Sequence, residues 1–111
     1  MRIYECKPET ALQNKGAFTF RFWSEMQAEI RVRDVKLFLR EGDYERCLLP
    51  KYHFRLSNDF QTIRMPFKQK NASNYKAITF IVEIADHQIQ ECISVSLDTQ
   101  EVKYKNMIWC E

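Results

Sequence analysis

Two runs of strict alternation, separated by the two residues Asp86-His87, constrain this chain more than anything else in it. In "AITFIVEIA" the apolar residues Ile78, Phe80, Val82 and Ile84 alternate with Thr79, Ile81 and Glu83. In "QIQECISVSL" Ile89, Ile93, Val95 and Leu97 alternate with Gln90, Cys92, Ser94 and Ser96. A period of two marks a strand with one buried face. Asp86-His87 lies between the runs as a turn. It places Ile84 opposite Ile89, Phe80 opposite Ile93 and Ile78 opposite Val95, with Val82 against Glu91 as the one poor pair. A slip of one residue would turn every one of these apolar side chains to the wrong face, so the register is strongly specified. A second two-residue turn at Thr99-Gln100 predicts Leu97 opposite Val102 and Val95 opposite Tyr104. The expectation is a three-stranded antiparallel meander over residues 77–110.

The same register gives the other face a small apolar patch. Cys92 falls opposite Ile81 on one side and Met107 on the other, with Trp109 diagonal to it. Another segment of the chain covers these four residues, or they form a partner surface.

Upstream, "AFTFRFW" sets Phe18, Phe20 and Phe22 against Thr19 and Arg21, a strand pattern. "FQTIRMPF" carries Ile63, Met65 and Phe67, and Pro66 marks an edge or a strand end. Residues 68–76 read as a polar loop. Residues 24–41 are ambiguous. As a helix they offer a Ser24–Gln27 capping box, an Ala28-Val32-Val35-Leu39 stripe and Gly42 as a stop. As strands they offer Ile30 and Val32, a phase change near Asp34, then Val35, Leu37 and Leu39. The β-branched residues favour strands. At 111 residues, 45% of them hydrophobic, the chain suits one domain with one core. The expected fold is a single antiparallel β-sandwich over residues 1–111, Ig-like, ending in the meander. A barrel, or one helix at 24–41, is the alternative.

Several function classes are disfavoured at once. Only Gly16 and Gly42 are glycines, too few and too far apart for a phosphate-cradling loop. A net charge of +2 does not demand a polyanion partner. No apolar run reaches the length of a membrane-spanning helix. No cofactor, metal site or catalytic set is expected.

The cysteines are Cys6, Cys47, Cys92 and Cys110, and no two lie closer than 18 positions. Structural zinc sites carry close ligand pairs, so zinc is disfavoured. Leu48 and Leu49 beside Cys47 favour an inert thiol over a nucleophile. The four are either buried free thiols or disulfides. The predicted meander puts Cys92 and Cys110 on opposite faces, which excludes that pair and leaves Cys47 with Cys92 or Cys110, or Cys6 with Cys47. His87 is read as a solvated turn residue and His53 as an outward strand residue. Arg31, Arg33, Lys36 and Arg40 form the densest basic stretch, with Phe38 interleaved, a pattern that can hold single-stranded nucleic acid. Glu29, Asp34 and Glu41 counter its charge, so it is expected not to form a dedicated polyanion site.

The stretches "RCLLPKYHF" and "AITFIVEI", with "RIYE" and "ALQNKGAFTFRF" near the start, carry a resemblance. Over residues 2–22 and 45–84 the chain resembles the bacterial periplasmic immunity lipoproteins associated with type VI secretion. That resemblance implies a small β-sandwich in the periplasm that binds a toxin stoichiometrically and is not an enzyme. A non-enzymatic protein-binding module is the first expectation. A small nucleic-acid-binding or phage-type accessory domain using the Arg31–Arg40 stripe is the second.

Overall fold

In the computed structural model, residues 3–9, 16–40, 42–47, 52–66 and 74–105 are described. They form β1 (Glu5–Pro8), β2 (Ala17–Trp23), β3 (Ala28–Arg40), β4 (Asp43–Cys47), β5 (Tyr52–Leu56), β6 (Gln61–Pro66), β7 (Ala77–Ile84), β8 (Ile89–Ser96) and β9 (Val102–Lys105). Two antiparallel sheets result. One has the order β1-β2-β6; the other runs β4-β3-β7-β8-β9, with β5 also paired to β3. The sheets face each other across one core, so the chain is an all-β sandwich and does not close into a barrel.

The alternation explains the core. Phe18, Phe20 and Phe22 of β2 are fully buried, as are Ile78, Phe80, Val82 and Ile84 of β7 and Ile93 and Val95 of β8. Phe80 stands between two rings of the opposite sheet, with centroids 5.3 Å from Phe20 and 6.3 Å from Phe22. Tilted and edge-on ring pairs of this kind add to simple area burial. A second tie crosses the sandwich at its far side. The Cys6 backbone N–H donates to the Tyr104 hydroxyl at 3.0 Å, and that hydroxyl donates to the Cys6 carbonyl at 3.3 Å. One side chain of β9 thereby satisfies both backbone groups of a β1 residue.

Residues 28–40 are a strand, not a helix. The phase change near Asp34 is a β-bulge: Val32 pairs with Val82 and Val35 with Phe80, so β3 carries one residue more than β7. The bulge returns Val35 and Leu37 to the face that Ile30 and Val32 already occupy, and all four are buried. Beyond β3 the chain reverses at Gly42, whose φ of +82° suits a residue without a Cβ.

The β7–β8 register is as predicted, with Ile84 on Ile89, Phe80 on Ile93 and Ile78 on Val95. The two-residue turn expected at Asp86-His87 is instead a four-residue loop, a single 3-10 turn over Ala85–His87 closed by Gln88 in the left-handed region at φ 53°. The β8–β9 register needs correction. Val95 lies opposite Val102, not Tyr104, and Cys92 lies opposite Lys105, not Met107. The loop is four residues, not two. The Gln100 N–H bonds to the Ser96 carbonyl at 2.8 Å and the Ser96 N–H to the Glu101 carbonyl at 3.0 Å. Gln100 takes a positive φ of 61° to close it. The slip is two residues, so each side chain keeps its predicted face. The polar-loop reading of 68–76 misses Tyr75, which is buried and donates to Glu45 at 2.5 Å. β6 is an edge strand ending at Pro66, as the proline suggests; Phe67 lies outside the described residues.

Replacing Phe80 by Ala leaves a void facing two phenylalanines and is expected to destabilise the fold by roughly 3–5 kcal/mol in urea unfolding. A loss below about 1 kcal/mol would contradict this packing.

Candidate functional site

The outward side of the six-stranded sheet divides into two halves of different chemistry. Around β3, β5 and β7 it is a closed charge network. Arg33 contacts Glu83 at 2.6 Å, and Arg31 reaches both Glu29 at 3.1 Å and Glu83 at 3.6 Å. His53 pairs with Glu29, and Arg55 bridges Asp86 at 3.1 Å and Glu29 at 3.5 Å. The strand ladder sets this up: Glu29 sits across from Arg55, and Arg31 lies between His53 and Glu83. Partial desolvation pulls the Glu29 pKa up, but hydrogen bonds and charge from His53 and Arg31 outweigh it and hold the carboxyl below its ordinary range.

The other half is basic and partly apolar. A cavity of about 280 Å³ lies over β3, β7, β8 and β9. Phe38 and Ala77 give it apolar surface, Thr79 and Ser94 supply hydroxyls, and Arg40, Lys76 and Lys105 supply charge. Thr79 and Ser94 are ladder partners, and their hydroxyl oxygens are 3.5 Å apart. Arg40 is tied to Asp43 at 2.7 Å. Among the described residues neither Lys76 nor Lys105 has an ion-pair partner, and no carboxylate lines the cavity. Beside it, Phe38 packs on Tyr44 with centroids 5.4 Å apart, and the Lys36 ammonium lies 4.9 Å from the Tyr44 ring centroid. Tyr44 itself is 45% exposed.

The predicted residues are distributed unevenly over this face. Arg31, Arg33 and Arg40 are all ion-paired, but of the expected counter-charges only Glu29 serves, on Arg31: Arg33 is held by Glu83 and Arg40 by Asp43, Asp34 lies 3.5 Å from Arg46, and Glu41 is outside the described residues. Lys36 differs: its side chain is only 4% exposed and lies against an aromatic ring. Ile81 and Cys92 are ladder partners as expected, but Ile81 is half-buried and Cys92 fully buried, so this pair offers little surface. Met107 and Trp109 lie outside the described residues. His53 points outward but is held by Glu29, and His87 is half-buried in the 3-10 turn. Lys76, Thr79, Ser94 and Lys105 were not singled out from the sequence. The predicted β7–β8 pairing already put Thr79 opposite Ser94, and that was the available signal. Among the described residues no three His, Cys, Asp or Glu side chains are grouped to hold a metal ion. No described helix is long and apolar enough to cross a membrane.

No protein-family model, curated protein or solved structure matches the chain. The chemistry of this face is therefore read from its own residues.

Two of the expected cysteine pairs, Cys6–Cys47 and Cys47–Cys92, need correction. Cys6 is a free thiol, buried in the core, with burial foremost and Glu5 second in pushing its pKa far up. It forms no bridge to Cys47. The β4-β3-β7-β8 order also sets the Cys47 and Cys92 backbones three strands apart, roughly 14 Å at the usual strand spacing. A disulfide needs Cα atoms within about 7 Å. Cys92 is not a free thiol, and its partner lies outside the described residues. The Cys47 side chain and Cys110 also lie outside them.

Two measurements check these assignments. Peptide mapping under non-reducing conditions is expected to yield no Cys47–Cys92 pair, and Cys6 is expected to resist iodoacetamide at neutral pH until the protein unfolds. Rapid alkylation of Cys6 in the folded chain would contradict its burial. The Glu29 network makes stability depend on acid. A carboxyl with a lowered native pKa contributes fully above its unfolded value of about 4.3, and the contribution is lost as pH falls through the native value. The stability gap between the natural chain and Glu29→Gln is expected to shrink as pH falls below about 4.3. A gap that persists or widens below that pH would show that the carboxylate is not stabilised by its partners.

Proposed function

We propose that this chain is a non-enzymatic protein-binding module, acting in the periplasm as a stoichiometric inhibitor of a secreted toxin in the manner of an immunity protein. One observation carries the protein-binding part of the reading. The Phe38–Tyr44 pair, backed by Lys36, stands on the outer face beside a cavity with apolar and cationic lining. Exposed tyrosines over apolar hollows are the groups that anchor protein interfaces, because they bury large area at small entropic cost. The rigid sandwich beneath them holds the face in one shape, which lowers the ordering cost of association. The toxin part of the reading rests on the resemblance in "RCLLPKYHF" and "AITFIVEI". The ion-paired state of Arg31, Arg33 and Arg40 disfavours the nucleic-acid alternative, since each phosphate contact would have to displace a carboxylate.

The test is co-expression with a toxin encoded beside the chain's own gene, followed by native mass spectrometry. The expected result is a one-to-one complex and restored growth, with Tyr44→Ala weakening the complex on the order of tenfold or more. A complex with single-stranded DNA that falls steeply with salt and is lost on Arg31→Ala plus Arg33→Ala would instead favour the nucleic-acid reading. A chain that protects against no neighbouring toxin and forms no complex overturns the proposal.

A further inference from the structure

We infer that the cavity over β3, β7, β8 and β9 is an anion-recognition pocket that takes an acidic side chain from a segment of the partner protein. This rests on the protein-binding reading and gives it a chemistry. The described lining contributes three cations, Arg40, Lys76 and Lys105, and no carboxylate. Asp43 occupies Arg40, while Lys76 and Lys105 have no ion-pair partner among the described residues. Thr79 donates its hydroxyl to Ser94 at 3.5 Å, and the backbone amides of both strands are already used in the ladder, so the Ser94 O–H is the neutral donor open to an entering oxygen. A carboxylate accepts several such bonds at once, and bonds between ionised groups are about twice as strong as neutral ones.

The apolar part of the lining decides between kinds of anion. Phe38 and Ala77 would meet the methylenes of a glutamate or aspartate, and they offer nothing to a bare phosphate. The neighbouring half of the face decides between kinds of macromolecule. Glu29, Glu83 and Asp86 belong to the charge network there. An extended polyphosphate crossing the sheet would leave the pocket for arginines that those carboxylates already neutralise, and each contact there would have to displace a carboxylate. A protein segment can place one acidic residue in the pocket and other residues against the network, so complementarity of charge favours a peptide occupant.

The experiment is a calorimetric titration at low salt of the whole chain with a ten-residue glutamate-rich peptide. Inorganic phosphate and a single-stranded oligonucleotide of equal charge are titrated in parallel. The peptide is expected to bind and to weaken as salt is raised. Lys76→Gln plus Lys105→Gln is expected to weaken it on the order of tenfold, the size of two lost exposed charge contacts. Circular dichroism confirms that this variant stays folded, and Lys7→Gln, on the other sheet, is expected to leave peptide affinity unchanged. Absent peptide binding, equal binding by the pocket variant, or stronger binding of phosphate or oligonucleotide lost in that variant would each overturn the inference. A toxin complex that forms equally well with the pocket variant removes the pocket and leaves protein binding standing. Peptide binding lost in the pocket variant, without any toxin complex, retains the pocket and removes the toxin reading.

Discussion

The contact of Phe80 with Phe20 and Phe22 is the constraint from which the rest follows. These rings come from opposite sheets, and their burial requires β2 and β7 to face each other with one register each. Once β7 is so oriented, its alternate residues Thr79, Ile81 and Glu83 must point outward. Their partners on β3 and β8 inherit that direction through the ladder. The hydroxyl pair of the cavity and the carboxylate that gathers Arg31 and Arg33 are thus both positioned by aromatic packing on the other side of the sheet.

The bulge in β3 shows how the same strand serves both ends of this face. Without the extra residue at Arg33 and Asp34, Val35 and Leu37 would point away from the core that Ile30 and Val32 enter. With it, all four are buried, and Lys36 and Phe38 emerge on the outside beside Tyr44. The helix alternative for residues 24–41 fails here for a physical reason. A helix would satisfy the Ala28-Val32-Val35-Leu39 stripe but leave the backbone of β7 without its neighbour along most of its length.

Much of the fold was legible because alternation and short loops interact. Ile84, Phe80 and Ile78 found their partners from a turn centred on Asp86-His87, and the register held although the loop proved longer. The last register was misjudged because its loop depends on hydroxyl and backbone bonds around Ser96 and on a left-handed Gln100, neither of which leaves a hydrophobic trace. The outer face was less legible. Acidic neighbours in sequence correctly suggested that the arginines are paired, yet Glu83 and Asp86 come from a distant segment that only the ladder brings close. Lys76 and Lys105 are ordinary lysines in the sequence, and only the β7–β8 and β8–β9 pairings bring them to one cavity. Cys6 gave no signal of its own, because its burial is decided by β1, a four-residue strand too short to show a period.

The free side of β3 is covered by two short strands, not one long one. β4 and β5 have five residues each and pair with different halves of β3, so neither presents a long run of open amides. At the opposite side of the sheet the described part of β9 has four residues, which include Lys103 and Lys105. Long flat edges invite a strand from a second molecule, and brevity and lysine are the usual defences. Margins this short make edge-to-edge pairing of two copies of the sheet less favourable.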